Sequence, residues 1–220
     1  YSSRKNLDNY TFRNSIDFIK NNIEEFNNIS NLLGDERSKS TLANTMMYRL
    51  SGNTQYLCNS MERQHDQYFD KDLVHCTSEE IFVDCGGYIG DSSLSYIKNF
   101  EKYKSMYIYE PDDQLLSTAK ENLTGYKNIH YSSKGVYSSN TTLSFNNKHD
   151  AGNQFSENGE SSVEVCMLDT DIKEKVSFIK MDIEGSESAA ILGAQSHIKN
   201  DNPKLAICLY HYEEDIIKIP

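Results

Sequence analysis

Apolar runs alternate with amphipathic stretches along the part of the chain that follows residue 80. Four short runs rich in β-branched and aromatic residues, each next to turn residues, predict buried strands. They are IFVDCG (81–86), SMYIYEP (105–111), VSFIKMDIEG (176–185) and KLAICLYH (204–211). Between them apolar residues recur every three or four positions, as in helices that cover a sheet. These positions are Leu94, Ile97 and Phe100, then Leu115, Ala119 and Leu123, and later Ile191, Ala194 and Ile198. The alternation predicts a doubly wound, Rossmann-like α/β sheet.

The first part of the chain has helical spacing without strands. Apolar positions predict two helices, one through Ile16, Ile19, Ile23 and Phe26 and one through Leu42, Met46 and Leu50. We expect residues 1–75 to form an N-terminal helical cap that packs on the domain formed by residues 76–220. Within that domain NIHYSSKGVYS (128–138) predicts a third strand, and TTLSF and VEVCML predict shorter antiparallel insertions.

Charge and composition exclude several classes of protein. The 220 residues carry 22 Lys and Arg against 33 Asp and Glu, a net charge of −11, which disfavours nucleic acid as a main partner. No apolar run approaches the roughly 20 residues of a membrane span, and YSSRKNLDNY does not have the pattern of a signal peptide. The five cysteines are widely spaced and form no CxxC pair. This spacing favours a reduced, cytoplasmic protein over a disulfide framework or a zinc site.

The first predicted strand ends in a glycine turn that can approach a ligand closely. A dinucleotide fingerprint requires glycine at positions 86, 88 and 91, but Tyr88 and Asp91 occupy two of these. The Asp91 carboxylate, at a helix N-terminus, would meet a pyrophosphate with like charge. Asp84 before the turn favours a cationic ligand, and Glu110, 20 residues after Gly90, is placed to accept from ribose hydroxyls. These acids together favour S-adenosylmethionine, which carries an ammonium and a sulfonium.

Four segments resemble the FkbM-type methyltransferases. They are VDCGGYIGDSS, IYEPDDQLLSTAKENL and, most specifically, FIKMDIEGSESAAILGA followed by KLAICLYH. That family consists of class I S-adenosylmethionine-dependent enzymes, many of which methylate hydroxyl oxygens of sugars and related natural products. The resemblance covers roughly residues 80–218, and DERSKSTLANTMMYRL and the YF at 68–69 are similar to the leader of one branch.

The chain departs from the class I pattern in two ways. Tyr88 stands where class I enzymes often carry glycine, although this family commonly has a larger residue there. The chain also ends at IIKIP, before the antiparallel strand pair that normally completes the sheet. Either the chain is truncated or those strands are absent.

The resemblance implies a role for each residue of the cofactor site. The methionine end of S-adenosylmethionine would be lined by Asp84, Gly86, Gly87, Tyr88, Gly90 and Ser92. Glu110 would hold the ribose, and Gly135 and Val136, after the third strand, would approach the adenine.

The resemblance also implies candidate catalytic residues. Asp182 and Glu184 lie two apart, so both carboxylates point to one face while the strand stays extended. Methyl transfer to oxygen requires removal of the hydroxyl proton, and one of these carboxylates or His211 would be the base. The two carboxylates would instead hold Mg²⁺ if a metal orients the hydroxyl. Glu187 is interpreted as an acid at a helix N-terminus that complements the dipole.

Two other functions compete with the methyltransferase hypothesis. An NAD-type oxidoreductase shares the fold, but the second and third glycines of its fingerprint are missing. A relative that binds the cofactor without turnover is the other alternative, and Asp84, Glu110, Asp182 and Glu184 argue against it. Methylation of DNA bases would require an Asp/Asn-Pro-Pro-aromatic run where MDIEG stands. The resemblance to the FkbM-type family implies that the acceptor is a small molecule or a carbohydrate.

Overall fold

The computed structural model describes residues 15–61, 67–145 and 161–220. The chain forms two compact units. The sheet unit is the described part of Gln64–Cys208, and the helical unit is the described part of Tyr1–Arg63 together with Leu209–Pro220. Residues 209–220 thus group with the N-terminal helices, whereas the sequence interpretation placed them with the sheet.

Eight strands and ten helices form within the described residues. The strands are β1 (Ile81–Cys85), β2 (Ser105–Tyr109), β3 (Ile129–Ser132), β4 (Gly135–Val136), β5 (Thr141–Phe145), β6 (Ser161–Cys166), β7 (Phe178–Met181) and β8 (Lys204–Ile207). The helices are α1 (Ser15–Asn21), α2 (Ile23–Leu32), α3 (Glu36–Ser51), α4 (Gln55–Cys58), α5 (Asp91–Phe100), α6 (Asp113–Asn122), α7 (Leu168–Asp171), α8 (Glu187–Gly193), α9 (Gln195–Asp201) and α10 (Asp215–Lys218). None of these helices is long and apolar enough to cross a membrane.

A five-stranded parallel sheet in the order β3-β2-β1-β7-β8 is the centre of the sheet unit. The chain crosses from β1 to β2 and β3 on one side and later to β7 and β8 on the other. The switch point therefore lies between β1 and β7, where Cys85 pairs with Met181. The carboxyl ends of strands on either side of a switch point form the ligand crevice of such sheets.

Apolar side chains cover both faces of this sheet, which explains why its strands read as continuous apolar runs. On one face Phe82 and Phe178 pack with residues of α5 and α6, and the rings of Phe82 and Tyr96 stack at 4.6 Å. On the other face Val83 and Ile179 pack with residues of α7 and α8. The prediction of a doubly wound α/β fold is confirmed.

The strand predicted over residues 128–138 is wrong in part. It divides into β3, which joins the parallel sheet, and β4, which joins a second sheet in the order β4-β6-β5. The antiparallel pairing predicted for the two insertions is confirmed, because β5 and β6 pair antiparallel. β4 pairs parallel with β6 at Gly135 and Val136.

The helical unit has a small core of its own. Ile19, Phe26, Ile29, Leu42 and Ile216 are buried together. The single helix predicted through Ile16 and Phe26 is wrong, since α1 and α2 are separated at Asn22, whose side-chain amide donates to the Phe18 carbonyl at 2.7 Å.

Candidate functional site

The turn after β1 has the backbone conformation of a close-approach site. Gly86 and Gly90 have φ of +77° and +82°, and Tyr88 has φ of +47° although it is not glycine. A Cβ at Gly86 would lie 1.9 Å from the Asp182 carbonyl oxygen, so the turn contacts the segment after β7 directly. A Cβ at Gly87 would lie 2.3 Å from the Ile108 side chain. Both predicted glycines are therefore required by packing, and Tyr88 is 53% exposed beside them.

Glu110, the first residue after β2, contacts this turn. Its Oε2 accepts from the Tyr88 backbone N–H at 2.9 Å, and its Oε1 accepts from the Asp112 N–H at 3.0 Å. The side chain is buried, and this burial raises the pKa of Glu110 above its usual value. Each oxygen retains a lone pair, since a carboxylate oxygen can accept two hydrogen bonds. An acid thus lies beside the turn, as the spacing of Glu110 from Gly90 predicts.

Asp84 has partners inside the protein. Its carboxylate is fully buried and accepts from the hydroxyls of Ser92 and Ser93, both at 2.7 Å. The ammonium of Lys180 forms an ion pair with it at 3.0 Å. The cation that the sequence argument expected beside Asp84 is therefore supplied by the chain itself. A direct role of Asp84 or Ser92 at the cofactor stays a prediction.

Lys180 is a residue of this region that the sequence argument missed. It lies in β7, with 3% of its side chain exposed, and donates to the Gly86 carbonyl at 2.7 Å. Burial alone would lower the pKa of Lys180, but the charge of Asp84 and the hydrogen bond to it raise that pKa above its usual value. A lysine within the apolar run FIKM was the available signal, because a buried charge requires a partner.

Asp182 follows β7 directly and has a second missed residue as its partner. The Tyr68 hydroxyl donates to Asp182 Oδ2 at 2.9 Å and lies 3.6 Å from the Cys208 sulfur. Burial and the neighbouring Cys208 and Asp182 raise the pKa of Tyr68 far above its usual value, so the phenol remains a donor. In the sequence, Tyr68 stood out only because the YF at 68–69 is similar to the leader of one branch of the family.

Glu184 does not share a strand face with Asp182, because β7 ends at Met181. Glu184 and Gly185 both have positive φ, of 56° and 95°, and form a turn in which Glu184 is exposed. The carboxylate that approaches Asp182 is Glu187, with oxygens within 4.8 Å. The geometric reason given for pairing Asp182 with Glu184 is wrong.

Glu187 is the first residue of α8, as the helix-dipole interpretation requires, and it is fully buried. Its Oε1 accepts from the Ile183 N–H at 2.8 Å. The Glu187 side chain therefore links the turn after β7 to the start of α8 through this hydrogen bond.

The remaining predicted residues lie in other elements. Gly135 and Val136 are buried in β4, where a Cβ at Gly135 would lie 3.1 Å from Val165. Their approach to an adenine stays a prediction. His211 belongs to the helical unit. The strand predicted over residues 204–211 is too long, because β8 ends at Ile207, four residues before His211. Its ring lies beside that of Tyr210, with centroids 4.3 Å apart, and its role as a base stays a prediction.

Comparisons with known proteins identify the family and the fold of the chain. The model of the methyltransferase FkbM domain matches residues 84–217. Methyltransferase FkbM from Methylobacillus flagellatus KT has a TM-score of 0.84 and 28% identity, over 96% of this chain and 54% of that chain. The chain thus spans about half the length of that structure.

Two other solved structures are less similar. An rRNA methylase from Streptococcus thermophilus has a TM-score of 0.42 and 16% identity, over 71% of this chain and 77% of that chain. A SAM-dependent methyltransferase from Leishmania major has a TM-score of 0.28 and 18% identity, over 47% of this chain and 45% of that chain. Comparison with curated proteins gives no match. The matched segment 84–217 contains the turn, Glu110 and Asp182, and the chain belongs to the FkbM methyltransferase domain family.

Proposed function

We propose that this protein is an S-adenosylmethionine-dependent methyltransferase that methylates a hydroxyl oxygen of a sugar or a related small molecule. The observation that carries the proposal is the junction at Gly86, where the turn after β1 abuts the Asp182 backbone at the switch point. A cofactor over the turn and an acceptor beside Asp182 would then meet at one place. The net charge of −11 supports an uncharged or carbohydrate acceptor over nucleic acid.

The chain offers groups that fit the cofactor. A close backbone approach is available at Gly86, where a side chain would fill the space beside Asp182. Glu110 keeps one accepting lone pair on each oxygen, which suits the two ribose hydroxyls. S-adenosylmethionine supplies a methyl group on a sulfonium, and transfer leaves the neutral thioether S-adenosylhomocysteine.

Asp182 is the proposed base. As the acceptor oxygen forms its bond to the methyl group, the hydroxyl proton passes to the Asp182 carboxylate. The Tyr68 hydroxyl donates to Oδ2 and fixes the orientation of that carboxylate. A reducing, cytoplasmic location is part of the proposal and is supported by five free cysteines.

The proposal is tested first by calorimetry. S-adenosylhomocysteine should bind the wild-type chain, and NAD should bind more weakly than S-adenosylmethionine. Absence of S-adenosylhomocysteine binding, or a preference for NAD, would refute the cofactor assignment.

Turnover is tested with a panel of sugars and glycosides, by measuring release of S-adenosylhomocysteine. Asp182→Asn keeps the shape of the side chain but removes the proton acceptor, so we expect a loss of roughly 10²–10⁴ in turnover. Its affinity for S-adenosylhomocysteine should stay within a few-fold. Asp169→Asn is the control, since Asp169 accepts from the N–H groups of Ser196 and His197 and should change stability alone. Full turnover in Asp182→Asn would contradict the proposed role.

The same assay separates the base from the metal hypothesis. Asp182 and Glu187, whose oxygens lie within 4.8 Å, fit a divalent cation better than the predicted pair of Asp182 and Glu184. Loss of turnover in EDTA with recovery in Mg²⁺ would assign Asp182 to a metal. Turnover that EDTA does not change would assign it to proton removal.

A further inference from the structure

The Lys180 ammonium contacts three parts of the sheet unit at once. It lies 3.0 Å from Asp84 Oδ1 and 2.7 Å from the Gly86 carbonyl oxygen, with the Cys85 carbonyl at 3.4 Å. It also lies 5.3 Å from the centroid of the Tyr68 ring, within the range of a cation–π contact. Asp84 and Cys85 are the last two residues of β1, Gly86 begins the turn that follows, and Tyr68 contacts Asp182.

Charge balance alone does not account for this arrangement. Asp84 Oδ2 accepts from two serine hydroxyls, Oδ1 faces the ammonium, and the carboxylate has no exposed surface. An ion pair buried to this degree contributes little net stability compared with apolar residues of the same volume. Outside the ion pair, the Lys180 ammonium donates a short hydrogen bond to the Gly86 carbonyl.

That carbonyl belongs to the residue with the tightest surroundings in the turn. Gly86 has φ of +77°, and a Cβ there would lie 1.9 Å from the Asp182 carbonyl oxygen. The direction of the Gly86 carbonyl is set by the same peptide that carries the Gly87 N–H, which donates to the Tyr109 carbonyl at 3.0 Å. Fixing one carbonyl therefore fixes the start of the turn.

We propose that Lys180 is a positioning residue of the cofactor site, which holds the Gly86 carbonyl and so keeps the turn in its ligand-binding conformation. The inference rests on the proposed function, because it takes the turn as the place where S-adenosylmethionine binds. Through the Tyr68 ring, Lys180 also supports the phenol that donates to Asp182.

The test compares two neutral replacements in the same background. Asp84→Asn combined with Lys180→Met removes both charges and leaves no donor for the Gly86 carbonyl. Asp84→Asn combined with Lys180→Gln is equally neutral and keeps an amide donor, whose nitrogen lies one bond closer to the backbone than the ammonium. We expect the methionine variant to bind S-adenosylhomocysteine at least tenfold more weakly than the glutamine variant. Because Asp84→Asn is common to both, this difference measures the donor at position 180 and not the change at Asp84.

Lys204→Met is the matched control. Lys204 also pairs with a buried carboxylate, that of Glu80 at 2.6 Å, and lies 5.9 Å from the centroid of an aromatic ring, that of Phe178. It stands at the start of β8, at the opposite end of the parallel sheet from the turn. We expect it to lower the melting temperature while leaving the affinity for S-adenosylhomocysteine unchanged.

Each outcome decides the inference separately from the proposed function. If wild type does not bind S-adenosylhomocysteine, the proposed function fails. If wild type binds, equal affinities in the methionine and glutamine variants would overturn the role of Lys180. Failure of both variants to fold would also overturn it, since Lys180 would then serve the fold of the sheet and not the turn.

Discussion

At the scale of single residues, Glu110 supports the turn through two backbone hydrogen bonds in addition to its proposed contact with the ribose. Glu110→Ala should therefore lower two quantities. Affinity for S-adenosylhomocysteine should fall by about 1–3 kcal/mol, the scale of hydrogen bonds to a charged acceptor, as measured by calorimetry. The free energy of unfolding should fall by about 1–3 kcal/mol, because the Tyr88 N–H loses its acceptor.

Glu80→Ala provides the control for this prediction. Glu80 is also buried and accepts both from Lys204 and from the Thr77 N–H, but it precedes β1 instead of following β2. We expect a comparable loss of stability with unchanged affinity. Unchanged affinity in Glu110→Ala itself would show that this carboxylate serves the turn alone.

Single residues were predictable where local spacing defined them. The glycine turn and Glu110 follow from the order of elements, since acids and glycines at strand ends face the crevice of a doubly wound sheet. Lys180 and Tyr68 were not predictable in this way. Their partners Asp84 and Asp182 are distant in sequence. The pairing of β1 with β7 places Lys180 beside Asp84, and Tyr68 contacts Asp182 from 114 positions away.

At the scale of elements, the presence of strands was predictable but their ends were not. Apolar residues continue to Ile183 after β7 and to Tyr210 after β8, so the pattern gave no signal to stop. β7 stops at Met181 because the backbone then enters a turn with positive φ at Glu184 and Gly185. The error matters for chemistry, because it made Glu184 the predicted neighbour of Asp182, whereas the structure has Glu187 there.

The turn after β1 permits a prediction about its backbone. Gly86→Ala should destabilise the protein by several kcal/mol, because it adds a left-handed residue, at a cost of about 1–2 kcal/mol, and a clash with the Asp182 carbonyl. Gly125→Ala is the matched control, since Gly125 has φ of +95° but open space around its Cβ position. Urea denaturation of both variants separates the two costs. Equal losses would show that Asp182 moves away without cost.

At the scale of the whole molecule, the fold class could be predicted because apolar runs and helical spacing alternate over a long segment. The division into units could not be predicted from that pattern. Ile216 and Ile217 look like the end of the sheet domain in sequence, yet they pack with the helices α1, α2 and α3. The local sequence does not indicate whether an apolar residue packs in the core of the sheet unit or in the core of the helical unit.

The contribution of the C-terminal segment to the helical unit yields the last prediction. Ile216 is 8% exposed and packs in the same small core as Ile19, Phe26 and Leu42. Truncation of a buried isoleucine to alanine costs about 2–5 kcal/mol, so Ile216→Ala should accelerate amide hydrogen exchange throughout α2 and α3. Leu32→Ala, at a side chain that is 78% exposed, should change this exchange by less than about 0.5 kcal/mol. Unchanged protection in Ile216→Ala would contradict a contribution of Ile216 to the stability of the helical core.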